Sequence, residues 1–208
     1  MATAITPIQA QQMRDLSDNN PKLEGLVLGA GSLQPKFIIV AEAPGRKEIE
    51  LERGFVGPSG QELQTWLDEL GVSREEIYIT AAVRARPFSE KNGSKKDRPP
   101  SKAEIKAFAE FLDYELAHLQ SDVIITLGNT ALQRLLGPEY KVSEVHGQFL
   151  QTPLLEYDPV TQNYHAGQKI WTVIPLFHPS YVRRFAAKNR PLVAADLAKI
   201  KKFLATKI

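Results

Sequence analysis

The chain has 208 residues, 43% of them hydrophobic and 24% charged, with a formal net charge of +2. That length buries one sizeable core and argues against two large domains, while the charge is too small to imply a polyanionic partner by itself. Cysteine is absent, which excludes disulfides, thiolate zinc sites and cysteine-held iron-sulfur clusters.

The opening stretch, MATAITPIQAQQMRDLSDNN, lacks a cationic start followed by an apolar run, and nowhere does the chain approach the ~20 apolar positions that span a bilayer. A soluble, cytoplasmic protein is expected, organised as a single domain over 1–208 with residues 1–30 as a helical arm packed on it. Residues 6–17 suit a short amphipathic helix, which SDNNPKLEG breaks. KFIIVA at 36–41 is the near-continuous apolar run of a strand covered on both faces. The stretch 42–58 is longer than a plain connection needs, and it puts a carboxylate at once into a Pro-Gly turn.

Ser59 as a cap, with Leu63, Trp66, Leu67 and Leu70 on one stripe, predicts a helix over 59–70 that Gly71 and Val72 end. IYITAAV at 77–83 reads as a second strand. A loop rich in Pro, Lys and Gly is expected from 84 to 101. It carries Arg84, Arg86, Lys91, Lys95, Lys96, Arg98 and, just beyond, Lys102 against Glu90 and Asp97, which suits either phosphate or plain solvent.

Ser101 and Glu104 form a capping-box start for a helix to about His118. DVIITL at 122–127 is a third strand, and GNTALQRLLG a short helix with a terminal glycine. QFLQTPLLEY and KIWTVIPLF read as strands separated by a hairpin-like excursion, DPVTQNYHAGQ. A last helix is expected from about Pro191 to Ala205.

Strand and helix alternate, which argues for an α/β protein with a central, largely parallel sheet and helices on both faces. Ligands in such sheets bind beyond the carboxyl ends of the strands. Three singled-out stretches fall there: 42–58, 84–101 and FHPSYVRRF.

Five segments in order, AEAPGRKE, GFVGPSGQEL, IYITAAVRARP, VIITLGNTAL and FHPSYVRRF, resemble the motif series of the uracil-DNA glycosylase superfamily, nearest to its family 4, over roughly residues 36–200. The resemblance implies a three-layer α/β/α sandwich around a central, mostly parallel four-stranded sheet. It also implies cleavage of an N-glycosidic bond in DNA, single- or double-stranded, carrying uracil or another deaminated base. A monomer without metal or cofactor is expected.

Such cleavage leaves positive charge on the sugar and negative charge on the departing base. The site needs an anionic group near the sugar, donors at the base oxygen, and an apolar slot for the extruded base. By resemblance, Glu42 and Glu48 position water or stabilise the sugar cation. Phe55 stacks on the base, with Gly54 and Gly57 letting the backbone turn, and Ala43, Pro44 and Gly45 shape the turn around it. His178 donates to the base carbonyl. In SYVRRF, Ser180, Tyr181, Val182, Arg183 and Arg184 form an arm toward DNA, with Tyr181 or Val182 as the wedge and the arginines on phosphates; Arg86 joins them.

The residues also allow plainer readings. Glu42 can be bonded to neighbouring backbone N–H groups, Glu48 can be a solvated charge, Phe55 a loop anchor, and SYVRRF a capped loop with surface arginines. His118, His146 and His165 have no such motif context and are read as structural.

Two departures from the family pattern stand out. Ala81 occupies the position where family 4 has a uracil-reading asparagine, and its methyl group makes no hydrogen bond; Thr80 and Asn129 are the nearby substitute donors. The four cysteines of the family's iron-sulfur centre are missing, with Ala85 and Phe108 among the alignable positions, so packing is expected to replace the cluster. Ala41 also stands where glycine is usual. A weakened relative that only binds DNA or a base, and a small-molecule enzyme on the same scaffold, are the competing readings.

Overall fold

The computed structural model describes residues 1–206; Lys207 and Ile208 lie outside the described residues. In chain order the elements are α1 (Pro7–Asp18), β1 (Leu23–Glu24), β2 (Ala30–Gly31), β3 (Ile38–Ala41), α2 (Arg46–Glu50), α3 (Pro58–Leu70), β4 (Tyr78–Ala81), β5 (Arg86–Lys91), β6 (Ser94–Asp97), α4 (Lys102–Ala107), α5 (Ala109–His118), β7 (Val123–Leu127), α6 (Asn129–Leu136), α7 (Val142–Val145), β8 (Leu150–Asp158), β9 (Asn163–Leu176), α8 (Pro179–Arg184) and α9 (Ala186–Ala205).

The main sheet runs β2-β4-β3-β7-β9-β8. Its centre is four parallel strands, β4, β3, β7 and β9, in register Tyr78, Ile38, Ile124 and Val173 across the sheet. The expected four-stranded sheet is therefore corrected to a mixed sheet of six, with β2 antiparallel beside β4 and β8 antiparallel beside β9. β3 and β7 are buried along their whole length, which is why they read as continuous apolar runs. β9 is longer than its apolar segment because its first half is the return arm of a hairpin with β8, paired from Asp158 and Asn163 inward.

Against this sheet pack the apolar stripes of α3 (Leu63, Trp66, Leu67, Leu70), α6 (Leu132, Leu135) and α9 (Val193, Leu197, Ile200). Helix α3 starts with Gly57 as its cap and Pro58 in its first turn, so Ser59 sits inside the helix instead of capping it. A proline that lacks an N–H is well placed there, because that N–H has no helical partner. The expected Ser101–Glu104 capping box is present. The helix behind it, however, breaks at Phe108 into α4 and α5, and the last helix starts at Ala186 with Pro191 inside it.

Residues 84–101 are not a loop. They hold the hairpin β5–β6, which joins β1 in a second sheet of order β1-β5-β6. Its turn is Asn92-Gly93, both at positive φ (53° and 72°), with Lys91 paired to Ser94 across it. Such a pair is the favoured two-residue hairpin connection, since its twist matches that of the strands.

A second apolar cluster lies under this sheet. Met13 of α1 packs there with Leu23, Val83, Ala85, Phe108 and Phe111. Ala85 and Phe108 are completely buried. This place has no thiolate and is filled by side chains, so its residues do not fit an iron-sulfur cluster; packing stands in its stead.

Candidate active site

The parallel strands β3, β4 and β9 end at one edge, where a cleft of about 390 Å³ opens. Ligand pockets span roughly 300–1,000 Å³, so the volume suits a small planar ligand. Glu42 after β3, Ala81 at the end of β4 and His178 after β9 all line it, together with Phe55, and Ala43, Pro44 and Gly45 form its turn as expected.

Glu42 is half-buried, and its carboxylate accepts a hydrogen bond from the Thr130 hydroxyl in the first turn of α6. It is thus held by a side chain, not by its own backbone neighbours. Thr130 sits inside the GNTAL segment, where the sequence alone points only to its neighbour Asn129.

Glu48 has a different task from the solvated one. One of its oxygens accepts from the backbone N–H groups of Val56 (3.2 Å) and Gly57 (3.0 Å), which ties down the segment carrying Phe55. From the other side the guanidinium of Arg74 donates to the carbonyls of Gly54 (3.2 Å) and Phe55 (3.0 Å). The clamped residue is Phe55, at φ 55°. A bulky side chain in that left-handed region costs on the order of 1–3 kcal/mol and persists only where its surroundings fix it. The expectation that Gly54 and Gly57 supply the turn is corrected, since neither has positive φ. The glycine that matters is Gly60, where a Cβ would lie 1.9 Å from the Phe55 carbonyl oxygen. Phe55 is both a loop residue packed on the core and a wall of the cleft.

His178 caps α8. Its Nδ1 accepts from the Ser180 N–H (3.2 Å) and lies 2.7 Å from the Ser180 hydroxyl. Because Nδ1 is an acceptor, the ring proton of the neutral imidazole is on Nε2. Burial pushes the imidazole down to about 4, against the opposing pull of the Glu48 carboxylate, so the ring is a neutral donor at neutral pH. Gly128, at φ 87°, passes behind it at a point where a Cβ would stand 3.2 Å from the His178 Cβ. The ring centroids of His178 and Phe55 are 6.3 Å apart, tilted by 32°.

The expected arm is the helix α8. Tyr181, Arg183 and Arg184 are exposed, as is Ser180. Val182 is wholly buried in the main core, which removes it as a wedge and leaves Tyr181, whose ring stacks on Phe177 and is tilted against Phe185. Arg86 is a second correction. It is buried and paired with both Glu24 and Asp97, so it is not turned toward DNA. Arg84 pairs with Glu115, Lys95 with Glu24 and Arg98 with Glu104; Lys91, Lys96 and Lys102 stay exposed.

Neither candidate substitute for Ala81 offers its donor to the cleft. The Thr80 hydroxyl is spent on Glu115 (2.7 Å). Asn129, whose side-chain oxygen accepts from the Val142 N–H (2.8 Å), is not among the residues that line the cleft. Of the other histidines, His146 pairs with Asp196 at 2.6 Å and His118 stacks on Tyr114, while His165 lies exposed on the β8–β9 hairpin.

A mixed α/β sheet with a parallel centre, and a cleft at its carboxyl edge walled by a phenylalanine and a neutral histidine, defines an α/β protein with a ligand-sized hollow at the ends of its central strands. The family model described as the Uracil DNA glycosylase superfamily matches residues 28–201, and the chain belongs to that superfamily. It is 33% identical over 181 residues to a type-4 uracil-DNA glycosylase of Thermotoga maritima, covering 86% of this chain and 83% of that protein. Proteins of the same description from Saccharolobus solfataricus (29% over 186 residues, 87% and 77% covered) and Pyrobaculum aerophilum (36% over 129 residues, 60% and 62%) are also similar.

Proposed function

We propose that the protein hydrolyses the N-glycosidic bond of uracil or another deaminated base in DNA. The observation that carries this reading is the cleft shared by Phe55, Glu42 and a His178 whose Nε2 bears the proton. An extruded base lies against Phe55, and its C1′–N bond breaks as electrons move into the base. The Nε2–H of His178 donates to the base carbonyl oxygen, where negative charge grows. A neutral imidazole suffices, because a donor fixed in place gains most when that charge appears. Glu42, steadied by Thr130, faces the sugar side, where its charge stabilises the cation and orients the water that attacks C1′. Glu48 acts at one remove by holding the Phe55 segment.

Oligonucleotides carrying one uracil, hypoxanthine or xanthine, single- and double-stranded, are incubated with the protein and treated with alkali; scission at the modified position is expected. Phe55→Ala is expected to lower single-turnover excision about tenfold to a hundredfold, since stacking on an aromatic ring contributes ~1–3 kcal/mol per base. DNA bound without any scission would favour the second reading, a binding module, for which the missing amide at position 81 is the motive.

On DNA, Tyr181 fills the gap left by the base, and Arg183 and Arg184 contact phosphates. Arg183→Ala and Arg184→Ala should each reduce the slope of log affinity against log salt by about 1, with little change in base preference. Unchanged slopes in both variants would place the phosphate track elsewhere.

A further inference from the structure

Asp97, at the end of β6, lines the same cleft as Phe55, Ala81 and His178. One carboxylate oxygen, Oδ1, accepts from the buried Arg86, whose guanidinium is also gripped by Glu24. The other, Oδ2, has no hydrogen-bond partner among the described residues. It lies 3.0 Å from where a Cβ on Gly45 would stand, beside the Pro44-Gly45 turn of the cleft. The strand pairing of Asp97 with Phe88 fixes the backbone, and Arg86 fixes the side chain, so this acceptor is set before any ligand arrives.

We propose that Asp97 is the residue that reads the base edge, accepting through Oδ2 the imino N–H of the extruded base. This rests on the base-holding cleft proposed above. Deamination turns the ring nitrogen beside the amino carbon from a lone pair into an N–H next to a carbonyl: N3 of cytosine becomes N3–H of uracil, and N1 of adenine becomes N1–H of hypoxanthine. A carboxylate only accepts. It bonds the N–H of the deaminated base and opposes the lone pair of the parent, a discrimination the Ala81 methyl cannot make. The hairpin thus supplies from the side what the asparagine supplies from the sheet in family 4.

The test is binding of small probes to the full chain, followed by NMR titration, so that it does not depend on turnover. 1-Methyluracil keeps N3–H and carries a methyl group where the sugar attaches; 1,3-dimethyluracil lacks the N–H. The wild type is expected to bind the first at least about tenfold more tightly, and Asp97→Ala to bind both alike. Asp97→Asn keeps an oxygen for Arg86 and turns its NH₂ to the cleft, so it should prefer 1-methylcytosine over 1-methyluracil, reversing the wild-type order, with an unchanged melting temperature. Equal binding of the two uracils by the wild type, or a preference that survives in Asp97→Ala, would overturn the assignment while leaving the base cleft standing. Failure of the wild type to bind either probe would overturn the cleft reading and this inference together.

Discussion

Replacing His178 by asparagine is expected to lower excision about 10²–10³-fold in single-turnover assays while leaving the fold at wild-type stability. The size follows from removing one fixed donor at the atom where charge develops. The choice of asparagine follows from the second task of the residue: its Nδ1 caps α8 by accepting the Ser180 N–H, and asparagine is among the best capping residues. His178→Ala should lose the same rate and, in addition, about 1 kcal/mol of stability from the lost cap. The ring also ties stability to pH. An unfolded histidine takes its proton near 6.5, whereas burial holds the folded ring neutral down to about 4. Between these values the unfolded state binds more protons, so stability is complete above pH 6.5 and falls as the pH drops toward 4, by roughly 1–2 kcal/mol after discounting for the ring's partial exposure. Urea midpoints at pH 7.5 and 5 should show this slope in the wild type and a shallower one in His178→Asn. The same slope in both would mean that the ring is not buried as described.

The strands that carry the site were legible because they are buried on both faces: IIVA is wholly apolar and VIITL is interrupted only by the β-branched Thr126, so neither shows the polar face of a helix or the composition of a loop. The hairpin β5–β6 was not, because β6 is exposed at every position and has no apolar alternation to betray it. Its one local signal, Asn92-Gly93, stood among lysines and prolines that read as loop. The site residues divide in the same way. Glu42, Phe55 and His178 follow from motifs, but what holds them does not, since Thr130, Arg74 and Ser180 act through contacts that only the folded chain makes. Arginine shows its charge in the sequence and hides its partner, so Arg86 reads as a phosphate contact although its guanidinium is taken by Glu24 and Asp97. Tyr181 and Val182 are neighbours, and once the segment is a helix, successive side chains point about 100° apart. One therefore faces solvent and the other the core.

Beneath the cleft floor, Glu115→Ala is expected to be among the most damaging substitutions to stability, costing about 3–5 kcal/mol. Glu115 is fully buried and accepts from three side chains: the Tyr78 hydroxyl (2.7 Å), the Thr80 hydroxyl (2.7 Å) and the guanidinium of Arg84. Arg84 is itself buried, and two of its nitrogens have no other partner among the described residues, so removing the carboxylate strands an uncompensated charge. The same carboxylate holds the Tyr78 hydroxyl that accepts the Ala4 N–H (3.2 Å), linking β4 to the N-terminal segment. Its neighbourhood pushes the Tyr78 phenol well above its ordinary value, by burial first and then by the Glu115 charge. Replacing the pair together, as Arg84→Met with Glu115→Leu, should recover a large part of the loss, because the stranded charge disappears with its partner. Urea unfolding of Arg84→Met, Glu115→Leu and the double variant measures the coupling. A cost below about 1 kcal/mol for Glu115→Ala, or additive losses in the double variant, would refute the account. The consequence reaches the cleft through Thr80, which fixes the end of β4 from below and so sets where Ala81 stands; excision by Glu115→Ala should decline at temperatures below its own unfolding midpoint, as the floor loosens before the fold gives way.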